Sequence, residues 1–484
     1  MVEAAMPGFN RMTSTGSPHP ELRRILDLQR AAFAADMYPT LDARRDRLAR
    51  LLAMTDRIGQ DAASALSADF GYRSSHVTRL ADLMMVRAAI KHARRKLPRW
   101  MRIRRVPTAM AFQPGRSRIL PQPLGVVGIV APWNYPYQLT IGPAIAALAA
   151  GNRVMLKPSE LTPRFSLLLE ESVAREFAPE EMTVLNGDAL VSKDFVSLPL
   201  DHLLFTGSTA VGRRVALAAA DNLTPVTLEL GGKSPAILNH DCNLSDAASR
   251  LIVGKLINAG QTCIAPDYAA VPRPMLGDFI SEMQKCCERL YPGLPENPDY
   301  TSIVSDRHFE RLHALLQDAE KKGARIIPLA SSVKPPTGRI MTPALVIDSR
   351  EDMLVMQDEV FGPILPVIVY ERPEEIVAYI NRRPRPLALY WFGKDRATRD
   401  LFLRGTVSGG VTINDCLWHF GQEELPFGGV GASGMGAYHG EIGFRTFSQF
   451  KPIFYQSALS GVPLLFPPYG RVFELMARVL KLIT

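Results

Sequence analysis

The stretch Gly125-Val126-Val127-Gly128-Ile129-Val130-Ala131 decides the predicted fold. This run is continuously apolar and rich in β-branched residues, which is typical of a strand buried on both faces of a parallel sheet. A helix-like segment from Gln138 to Ala150 follows it, and a second strand is predicted from Arg153 to Leu156. This alternation predicts an open, doubly wound α/β sheet, in which ligands bind beyond the carboxyl ends of the strands.

The same alternation continues along most of the chain. Thr162-Pro163 is predicted to begin the next helix with a capping residue and a proline at the first helical position. Further strands are predicted over Thr183 to Leu185 and His202 to Phe205, and a second α/β segment runs to about Asp415. The elements predicted there are strands near Ala236 to Leu238, Tyr268 to Val271, Pro366 to Tyr370 and Ala388 to Phe392, and helices from Arg307 to Lys322 and Pro373 to Asn381.

The region before the two α/β segments has a different pattern. Apolar residues at three- and four-residue spacing predict an all-helical region from Glu21 to about Arg105. Short extended pieces at Thr108 to Phe112 and Ser117 to Leu120, among prolines and glycines, predict a protruding β-ribbon between Val106 and Pro123. Met1 to Pro20 is polar and rich in Gly, Pro, Ser and Thr, so we expect a disordered lead-in there rather than a signal peptide.

Length and composition limit the class of protein. At 484 residues the chain exceeds the size at which single cores stop growing, so two or more domains are expected. Its 47% hydrophobic and 21% charged residues are ordinary for a soluble globular protein. The five cysteines are odd in number and scattered, which indicates a reducing compartment, and we expect a cytoplasmic protein. No Cys/His cluster has zinc-ligand spacing, so no metal site is predicted.

The net charge of +8 comes largely from one basic run, Lys91 to Arg105. A nucleic-acid or anionic-lipid patch is one interpretation of this run. A solvated helix end followed by the edge of a hairpin is the favoured interpretation, because no aromatic interleaving or nucleic-acid motif accompanies it. We therefore expect no nucleic-acid partner.

Three residues are candidates for chemistry at a reacting carbon. Cys263 stands in the small-residue loop Asn258 to Pro266, where an exposed thiol competes with the alternative of a buried cysteine that fills the core. Asn134 follows the most buried strand, where its amide is placed either to donate to an oxyanion or to form a turn. Glu229 is a carboxylate in an apolar strand, and burial would raise its pKa toward that of a general base unless it forms an ion pair.

Two turns that follow strands are candidates for nucleotide binding. Thr206-Gly207-Ser208, with Gly212 beyond it, forms a strand end, a glycine turn and a helix start, whose backbone N–H groups suit an anion such as a pyrophosphate. An ordinary βα turn explains it equally well, because it is neither a Walker loop nor GxGxxG. Lys157-Pro158-Ser159-Glu160 is placed to bind sugar hydroxyls, and a surface turn is the alternative.

These candidates belong to six motifs that occur in a specific order. The motifs are Pro132-Trp133-Asn134, Lys157-Pro158-Ser159-Glu160, Phe205-Thr206-Gly207-Ser208, Glu229-Leu230-Gly231-Gly232-Lys233-Ser234-Pro235, Gly260-Gln261-Thr262-Cys263 and Glu359-Val360-Phe361-Gly362-Pro363. Together they resemble the aldehyde dehydrogenase superfamily over nearly the whole chain, from the first helices to about Lys451. Asn258 to Asp267 and Leu425 to Gly440 are similar to its class 3 branch, and most similar to the coniferyl aldehyde dehydrogenases of that branch.

The resemblance implies a domain organisation and a mechanism. It implies a Rossmann-type cofactor domain over residues 21–105 and 124–230, a catalytic α/β domain over 231–415, a bridging and oligomerisation element over 106–123 and 416–455, and a C-terminal tail over 456–484. Cys263 would be the nucleophile that adds to an aldehyde carbon, and Asn134 with the Cys263 backbone N–H would bind the oxyanion. Glu229 would activate the water that hydrolyses the thioester.

The resemblance also implies a nicotinamide cofactor. The residues implied to contact it are Trp133, Lys157, Glu160, Gly207, Ser208, Gly212, Glu359 and Phe361. Glu160 would accept a hydrogen bond from the ribose 2′-hydroxyl and repel a 2′-phosphate. NAD⁺ is therefore the expected cofactor, and NADP⁺ is the alternative.

Substrate and partners follow from the same resemblance. Aromatic residues in segments that line the substrate tunnel of relatives are Tyr135, Tyr137, Trp418, His419 and Phe420. They favour an aryl aldehyde of the coniferyl type, with a medium- or long-chain fatty aldehyde as the alternative, and packing roles are equally open. A homodimer built by the ribbon and the Cys416 to Lys451 strands is implied. The amphipathic segment Arg471 to Thr484 is expected to pack across the protein body or over the tunnel mouth, and a membrane-surface anchor is the alternative.

Two other function classes stay open on the sequence. One is a thioester-forming acyl reductase, against which the presence of Glu229 argues. The other is a non-catalytic binding protein on the same fold, against which the set of Asn134, Glu229, Cys263 and Glu359 argues.

Overall fold

The computed structural model describes residues 19–294, 296–330 and 338–483. The lead-in predicted from Met1 to Pro20 lies outside these residues except for His19 and Pro20, and Pro20 already begins a helix. Three β-sheets and the helices packed on them make up the described chain.

The predicted helical region is confirmed as far as Trp100. Its helices are α1 (Pro20–Ala35), α2 (Leu41–Arg57), α3 (Gly59–Phe70), α4 (Ser75–Val77) and α5 (Met85–Trp100), with a π-helical segment at Thr78–Met84. Strand β1 (Arg104–Val106) follows. The basic run from Lys91 to Arg105 therefore covers the end of a helix and the start of an edge strand, as the favoured interpretation predicts.

The predicted ribbon belongs to an antiparallel sheet. β1 pairs with β2 (Arg116–Pro123), and β2 pairs along its length with a strand at Ser448–Tyr455. The prediction of an extended segment from Thr108 to Phe112 is wrong, because Met110–Phe112 forms a 3-10 turn. The first ribbon strand lies earlier in the chain, so these residues form the connection instead.

The doubly wound sheet predicted from Gly125 to Ala131 is confirmed. Its elements in chain order are β3 (Val126–Val130), α6 (Pro136–Ala150), β4 (Arg153–Lys157), α7 (Pro163–Glu176), β5 (Met182–Val184), α8 (Ala189–Val196), β6 (His202–Thr206), α9 (Thr209–Ala220) and β7 (Val226–Glu229). β4 and β5 lie on one side of β3, and β6 and β7 lie on the other, all parallel. The strand order reverses at β3, so the ligand-binding crevice of such a sheet opens there.

Helix α6 runs from this crevice through the core. All of it except Gly142 is buried, as expected for a segment that is apolar on every side. Asp82 of the π-helical segment caps its start, since Asp82 Oδ1 accepts from the N–H groups of Tyr137 at 3.2 Å and Gln138 at 3.1 Å. Asp82 also pairs with Arg73 at 2.7 Å, so the helical region fixes the crevice end of α6.

The second α/β segment forms a larger sheet. Its elements are β8 (Pro235–Leu238), α10 (Leu244–Leu256), β9 (Tyr268–Pro272), α11 (Leu276–Leu290), α12 (Asp306–Lys321), β10 (Arg325–Pro328), β11 (Ala344–Ile347), α13 (Leu354–Gln357), β12 (Ile364–Tyr370), α14 (Pro373–Asn381), β13 (Ala388–Phe392), α15 (Arg396–Gly405) and β14 (Gly410–Ile413). The strand order is β10-β11-β12-β9-β8-β13-β14. The four predicted strands are confirmed, and β10, β11 and β14 are additional.

The chain end returns to the other two sheets. It contains β15 (Gly434–Met435), α16 (Gly440–Thr446), β16 (Ser448–Tyr455), a 3-10 turn at Val462–Leu465 and α17 (Arg471–Ile483). β15 pairs antiparallel with β7 and completes the first sheet, and β16 completes the ribbon sheet.

Helix α17 does not pack across the protein body or over the tunnel mouth, so that prediction is wrong. Among the described elements α17 packs on the 3-10 turns at Met110–Phe112 and Val462–Leu465. Its apolar residues Val472 and Leu475 are exposed. The helix lies there because β16, the strand that precedes it in the chain, is part of the ribbon sheet. Within the described ranges no helix has the length and apolar character to cross a bilayer.

Candidate active site

The candidate site lies at the carboxyl ends of neighbouring strands of the first sheet. Asn134 follows β3, Gly207 and Ser208 follow β6, and Glu229 ends β7. Because these three strands are adjacent and parallel, their ends meet at one edge of the sheet. The residues that follow them line a cavity of about 410 Å³, which we call the crevice cavity.

Cys263 reaches this crevice from the second sheet. The residues Asn258 to Gly260 before it have φ angles of 52°, 52° and 75°. Such left-handed backbone is costly for residues other than glycine and persists only where the surroundings hold it. The Gln261 side chain holds it here, because it donates to two backbone carbonyls at 2.9 and 3.0 Å and accepts from a backbone N–H at 2.9 Å.

Cys263 lies in the walls of two cavities. Besides the crevice cavity it lines a second cavity of about 130 Å³ with a mostly apolar wall, which we call the apolar cavity. Leu139 is the other described residue common to both walls. Cys263 is half-buried, and it packs against the core while it lines both cavities. Burial raises the pKa of its thiol, with further contributions from Glu359 and Glu229.

Asn134 is fixed beside the nucleophile loop. Its side-chain Nδ2 donates to Gln261 O at 3.1 Å, which leaves its second amide hydrogen for another acceptor. Its backbone carbonyl accepts from Arg73 Nη1 at 3.1 Å and from Asn258 Nδ2 at 3.0 Å. The alternative role as a turn residue is not supported, because the side chain bonds across to the cysteine loop.

Glu229 is buried at the end of β7. Neither carboxyl oxygen has a hydrogen-bond partner among the described residues. Burial raises the pKa of this carboxyl well above its usual value. Within the described residues Glu229 forms no ion pair, so the ion-pair alternative is not supported. Glu229 lines the crevice cavity, and its carboxyl is therefore available to accept a proton there.

Five predicted cofactor residues line the crevice cavity, namely Trp133, Gly207, Ser208, Glu359 and Phe361. The Trp133 and Phe361 rings meet edge to face with centroids 5.4 Å apart. Ser208 caps α9, because its Oγ accepts from Val211 N at 3.4 Å, and the helix N-terminus therefore borders the cavity. An N-terminus there suits a pyrophosphate.

Glu359 enters the cavity over Gly231. A Cβ on Gly231 would lie 1.9 Å from Glu359 Oε2, so only glycine leaves room for this carboxyl. Burial, together with the nearby charge of Asp267, raises the pKa of Glu359 to about 8. A polar group of the ligand that bonds this carboxyl would compensate for its burial.

Three other predicted cofactor residues do not line the crevice cavity. Lys157 is buried, and its Nζ donates to the carbonyls of Pro158 and Gly187, each at 2.8 Å. Glu160 is exposed near the end of β4. Gly212 is a packing residue rather than a cavity residue, because a Cβ there would lie 2.6 Å from Leu230 Cδ2.

The crevice cavity is also lined by residues that the sequence did not indicate, among them His308 and Arg311. His308 on α12 packs its ring against Trp133 at 5.1 Å, and its Nδ1 lies 2.7 Å from Ser305 Oγ. Arg311, one turn later, donates to the backbone carbonyls of Glu359 and Val360. Nothing in the pattern of α12 distinguishes them from ordinary helix residues, because the contacts arise when the two sheets come together.

The predicted substrate residues divide into two groups. Tyr135, Trp418 and Phe420 line the apolar cavity. Tyr137 does not, because its ring lies in the core and its hydroxyl is 2.7 Å from Thr55 Oγ1. His419 does not either, because it packs over Gly410 while its Nδ1 lies 2.8 Å from Thr412 Oγ1. For these two residues the packing alternative is correct.

The crevice cavity fits a nicotinamide nucleotide. Its lining includes the N-terminus of α9, the aromatic pair of Trp133 and Phe361, the Glu359 carboxyl and Cys263, a set that suits an anionic nucleotide. The fold and the site together define an NAD(P)-dependent oxidoreductase.

Comparisons with known proteins agree with this class. The profile of the aldehyde dehydrogenase family matches residues 17–453. The chain is 46% identical to the probable coniferyl aldehyde dehydrogenase of Pseudomonas aeruginosa, over 94% of this chain and 95% of that one. It is 45% identical to the coniferyl aldehyde dehydrogenase of Pseudomonas sp. strain HR199, over 95% and 96% of the two chains. A solved structure of Staphylococcus aureus AldH in a substrate-bound state superposes with a TM-score of 0.90, at 35% identity over 95% of this chain and 99% of that one.

The chain belongs to the aldehyde dehydrogenase family. It oxidises aldehydes with a nicotinamide cofactor.

Proposed function

We propose that the enzyme oxidises its aldehyde through a covalent intermediate on Cys263. The position of this thiol in the walls of both cavities carries the proposal, because the sulfur then faces the aldehyde on one side and the cofactor on the other. The sulfur adds to the carbonyl carbon to give a thiohemiacetal. A nicotinamide held in the crevice cavity would supply the hydride acceptor, and loss of hydride from the adduct would leave a thioester on Cys263.

Two donors would stabilise the oxyanion formed in the first step. The Asn134 side chain keeps one amide hydrogen free, and the Cys263 backbone N–H lies at the adduct itself. Their support comes from Gln261, which bonds Asn134 through its backbone carbonyl and holds the cysteine loop through its side chain.

Glu229 would act as the general base for hydrolysis. Its unpartnered, buried carboxyl with a raised pKa supports proton abstraction from water, and the product would be a free carboxylic acid. Intact-mass measurement with aldehyde and NAD⁺ tests this. Glu229→Gln should accumulate an acyl adduct, and Cys263→Ala should form none. A Glu229→Gln enzyme that turns over without an adduct would reopen the acyl-reductase alternative.

NAD⁺ is the proposed cofactor, with NADP⁺ as the alternative. Glu160 would bond the adenosine ribose hydroxyls together with Lys157, and its negative charge disfavours a 2′-phosphate. Trp133, Gly207 and Ser208 would face the pyrophosphate. Glu359 would bond the nicotinamide ribose, and Phe361 would pack on the nicotinamide ring. Titration with both cofactors measures the preference.

An aryl aldehyde of the coniferyl type is the proposed substrate. The narrow apolar cavity with Tyr135, Trp418 and Phe420 in its wall suits a planar ring. The name shared by the two relatives from Pseudomonas supports the same substrate class. A panel of cinnamyl, benzyl and straight-chain aldehydes tests this, and a preference for long straight chains would favour the fatty-aldehyde alternative.

The proposed enzyme is a homodimer of the cytoplasm. The ribbon sheet supports the dimer, because β16 forms its edge in the described residues and carries exposed aromatic side chains at Phe454 and Tyr455. The five cysteines, all free of disulfides, support a reducing compartment.

A further inference from the structure

We propose that Arg250 binds the phenolic oxygen at the far end of the aldehyde substrate. This inference rests on the proposed coniferyl-type substrate and names the residue that selects a 4-hydroxylated ring within it.

Arg250 belongs to a helix face that forms one wall of the apolar cavity. Arg250, Val253 and Gly254 line the cavity from one side of α10, and Ile257, which directly follows the helix, lines it as well. At 1.5 Å per residue, Arg250 lies about 9 Å along the helix axis from Leu256, the last residue of α10. Ile257 leads directly into the loop of Cys263, so the thiol lies at the inner end of this wall and the guanidinium at the outer end.

The charged residues of the cavity wall are found at that outer end. Arg250 and Asp415 are the charged residues among the described lining, and they form an ion pair. Asp415 Oδ1 also accepts from Cys416 N at 2.8 Å, so the carboxylate is fixed and holds the guanidinium in place. The Arg250 side chain is 48% exposed, and a guanidinium has five N–H donors, so donors remain after pairing with Asp415.

An extended 4-hydroxycinnamaldehyde matches this distribution. Its aldehyde and its phenolic oxygen lie at opposite ends of a flat, rigid skeleton whose length is comparable to that of the wall. With the aldehyde carbon at Cys263, the ring would lie between Trp418 and Phe420, and the oxygen would accept from Arg250. A long straight-chain aldehyde would instead lay methylene groups against the guanidinium and remove water from it without replacing the hydrogen bonds.

The test compares 4-hydroxycinnamaldehyde with cinnamaldehyde in the full-length enzyme. In Arg250→Met the ratio of kcat/KM for the hydroxylated over the plain aldehyde should fall about tenfold, because a hydrogen bond to a charged group is lost. The loss should appear mainly in KM for the hydroxylated aldehyde, and the ratio to cinnamaldehyde corrects for any general effect of the substitution on the cavity. Arg273→Met is the matched control, since Arg273 forms an exposed ion pair with Glu371 away from both cavities, and it should leave the ratio unchanged.

A double variant separates recognition by Arg250 from repulsion by an unpaired Asp415. The double variant Arg250→Met/Asp415→Asn carries neither charge. Its ratio of kcat/KM for the hydroxylated over the plain aldehyde should stay as low as that of Arg250→Met alone. A wild-type ratio in the double variant would overturn the role of Arg250 while leaving the proposed function intact. A wild-type enzyme that oxidises straight-chain aldehydes but neither cinnamaldehyde would overturn the proposed substrate class, and this inference with it.

Discussion

Glu229 is the residue whose protonation is expected to control turnover. In Glu229→Gln the first equivalent of NADH should form normally, and later turnovers should slow about 10²- to 10⁴-fold, the usual contribution of a general base. Because burial raises the pKa of Glu229, wild-type hydrolysis should speed up as pH rises through that raised value, and the variant should lack this rise. Stopped-flow NADH absorbance measures the burst and the steady state.

Glu423 offers the matched control for this prediction. It is a half-buried carboxyl whose pKa burial raises to about 7. It does not line the crevice cavity but a further cavity beside His439, which shares Met85, Gln138 and Phe420 with the apolar cavity. Glu423→Gln should show no burst. Equal bursts in both variants would assign the effect to buried charge in general rather than to Glu229.

The same carboxyl should make stability depend on pH. Its pKa is higher in the folded than in the unfolded protein, so the folded state binds the proton more tightly, and this stabilisation is lost as pH rises from the unfolded pKa toward the folded one. Glu229→Gln has no proton to lose. The Tm of the variant relative to wild type should therefore be higher at pH 8 than at pH 5, as measured by calorimetry, and a difference that stays constant would contradict this.

Individual residues show where sequence prediction of the site ends. Tyr135 stands just before α6 and lines the apolar cavity, whereas Tyr137 lies inside the helix and its ring is in the core. His308 and Arg311 reach the crevice cavity from a helix far along the chain. A linear motif does not show which way a side chain points. It also does not show contacts that form only when two sheets pack together.

At the scale of elements, the turn that follows β7 controls the position of the Glu359 carboxyl, which is proposed to bind the cofactor. Gly231→Ala would put a Cβ 1.9 Å from Glu359 Oε2, and the end of a flexible side chain can move away at little cost in stability. The KM for NAD⁺ should rise at least about tenfold, since small misplacements in a site have effects of this size or larger. Steady-state titration of the cofactor measures it.

Gly277→Ala is the control for that variant. Nothing lies within 4 Å of a Cβ at Gly277, which is in α11. Its KM for NAD⁺ should equal that of wild type. An unchanged KM in Gly231→Ala as well would remove Glu359 from cofactor binding.

Helix α7 begins differently from the sequence prediction. Thr162 stands at its N-cap position, but its side chain makes no cap hydrogen bond. Asp69 of α3 supplies the cap instead, since its carboxylate accepts from Arg164 N at 3.1 Å and Phe165 N at 3.0 Å. A local motif therefore located the helix start correctly and assigned the cap to the wrong residue.

This difference can be measured as stability. Asp69→Ala should lower the free energy of unfolding by about 1 kcal/mol, the usual loss for a removed cap. Thr162→Val should be close to neutral, because its buried hydroxyl has no hydrogen-bond partner among the described residues. Urea unfolding of the two variants checks both, and an Asp69→Ala loss no larger than that of Thr162→Val would contradict the capping role.

For the whole molecule, the proposed dimer has a direct test. Wild-type protein should sediment with twice the mass of one chain, and Phe454→Glu on the exposed side of β16 should sediment with the mass of one chain. Leu217→Glu, at an exposed position on α9, should remain dimeric. A wild-type monomer would contradict the proposal.

Buried apolar strands were the most predictable part of the fold. β3 and β13 are fully buried and apolar, and both were predicted, whereas β11 is equally buried and was not. β10 and β14 are edge strands of mixed exposure, and Met110–Phe112 is a turn whose apolar residues lie partly at the surface. Edge strands lack the apolar pattern of a strand that is covered on both faces, so the local sequence does not indicate them. The domain boundaries stay a prediction.

The wall shared by the two cavities has an evolutionary consequence. Turns of the first sheet, α12 and the turn at Glu359 line the crevice cavity, while α10, the π-helical segment and the chain from Asp415 to Gly421 contribute to the apolar cavity. Among the described lining residues only Leu139 and Cys263 belong to both. Mutations that reshape the apolar cavity can therefore accumulate without disturbing how the cofactor is held. Such modularity lets one oxidation chemistry diversify toward new aldehydes by changes in a few side chains.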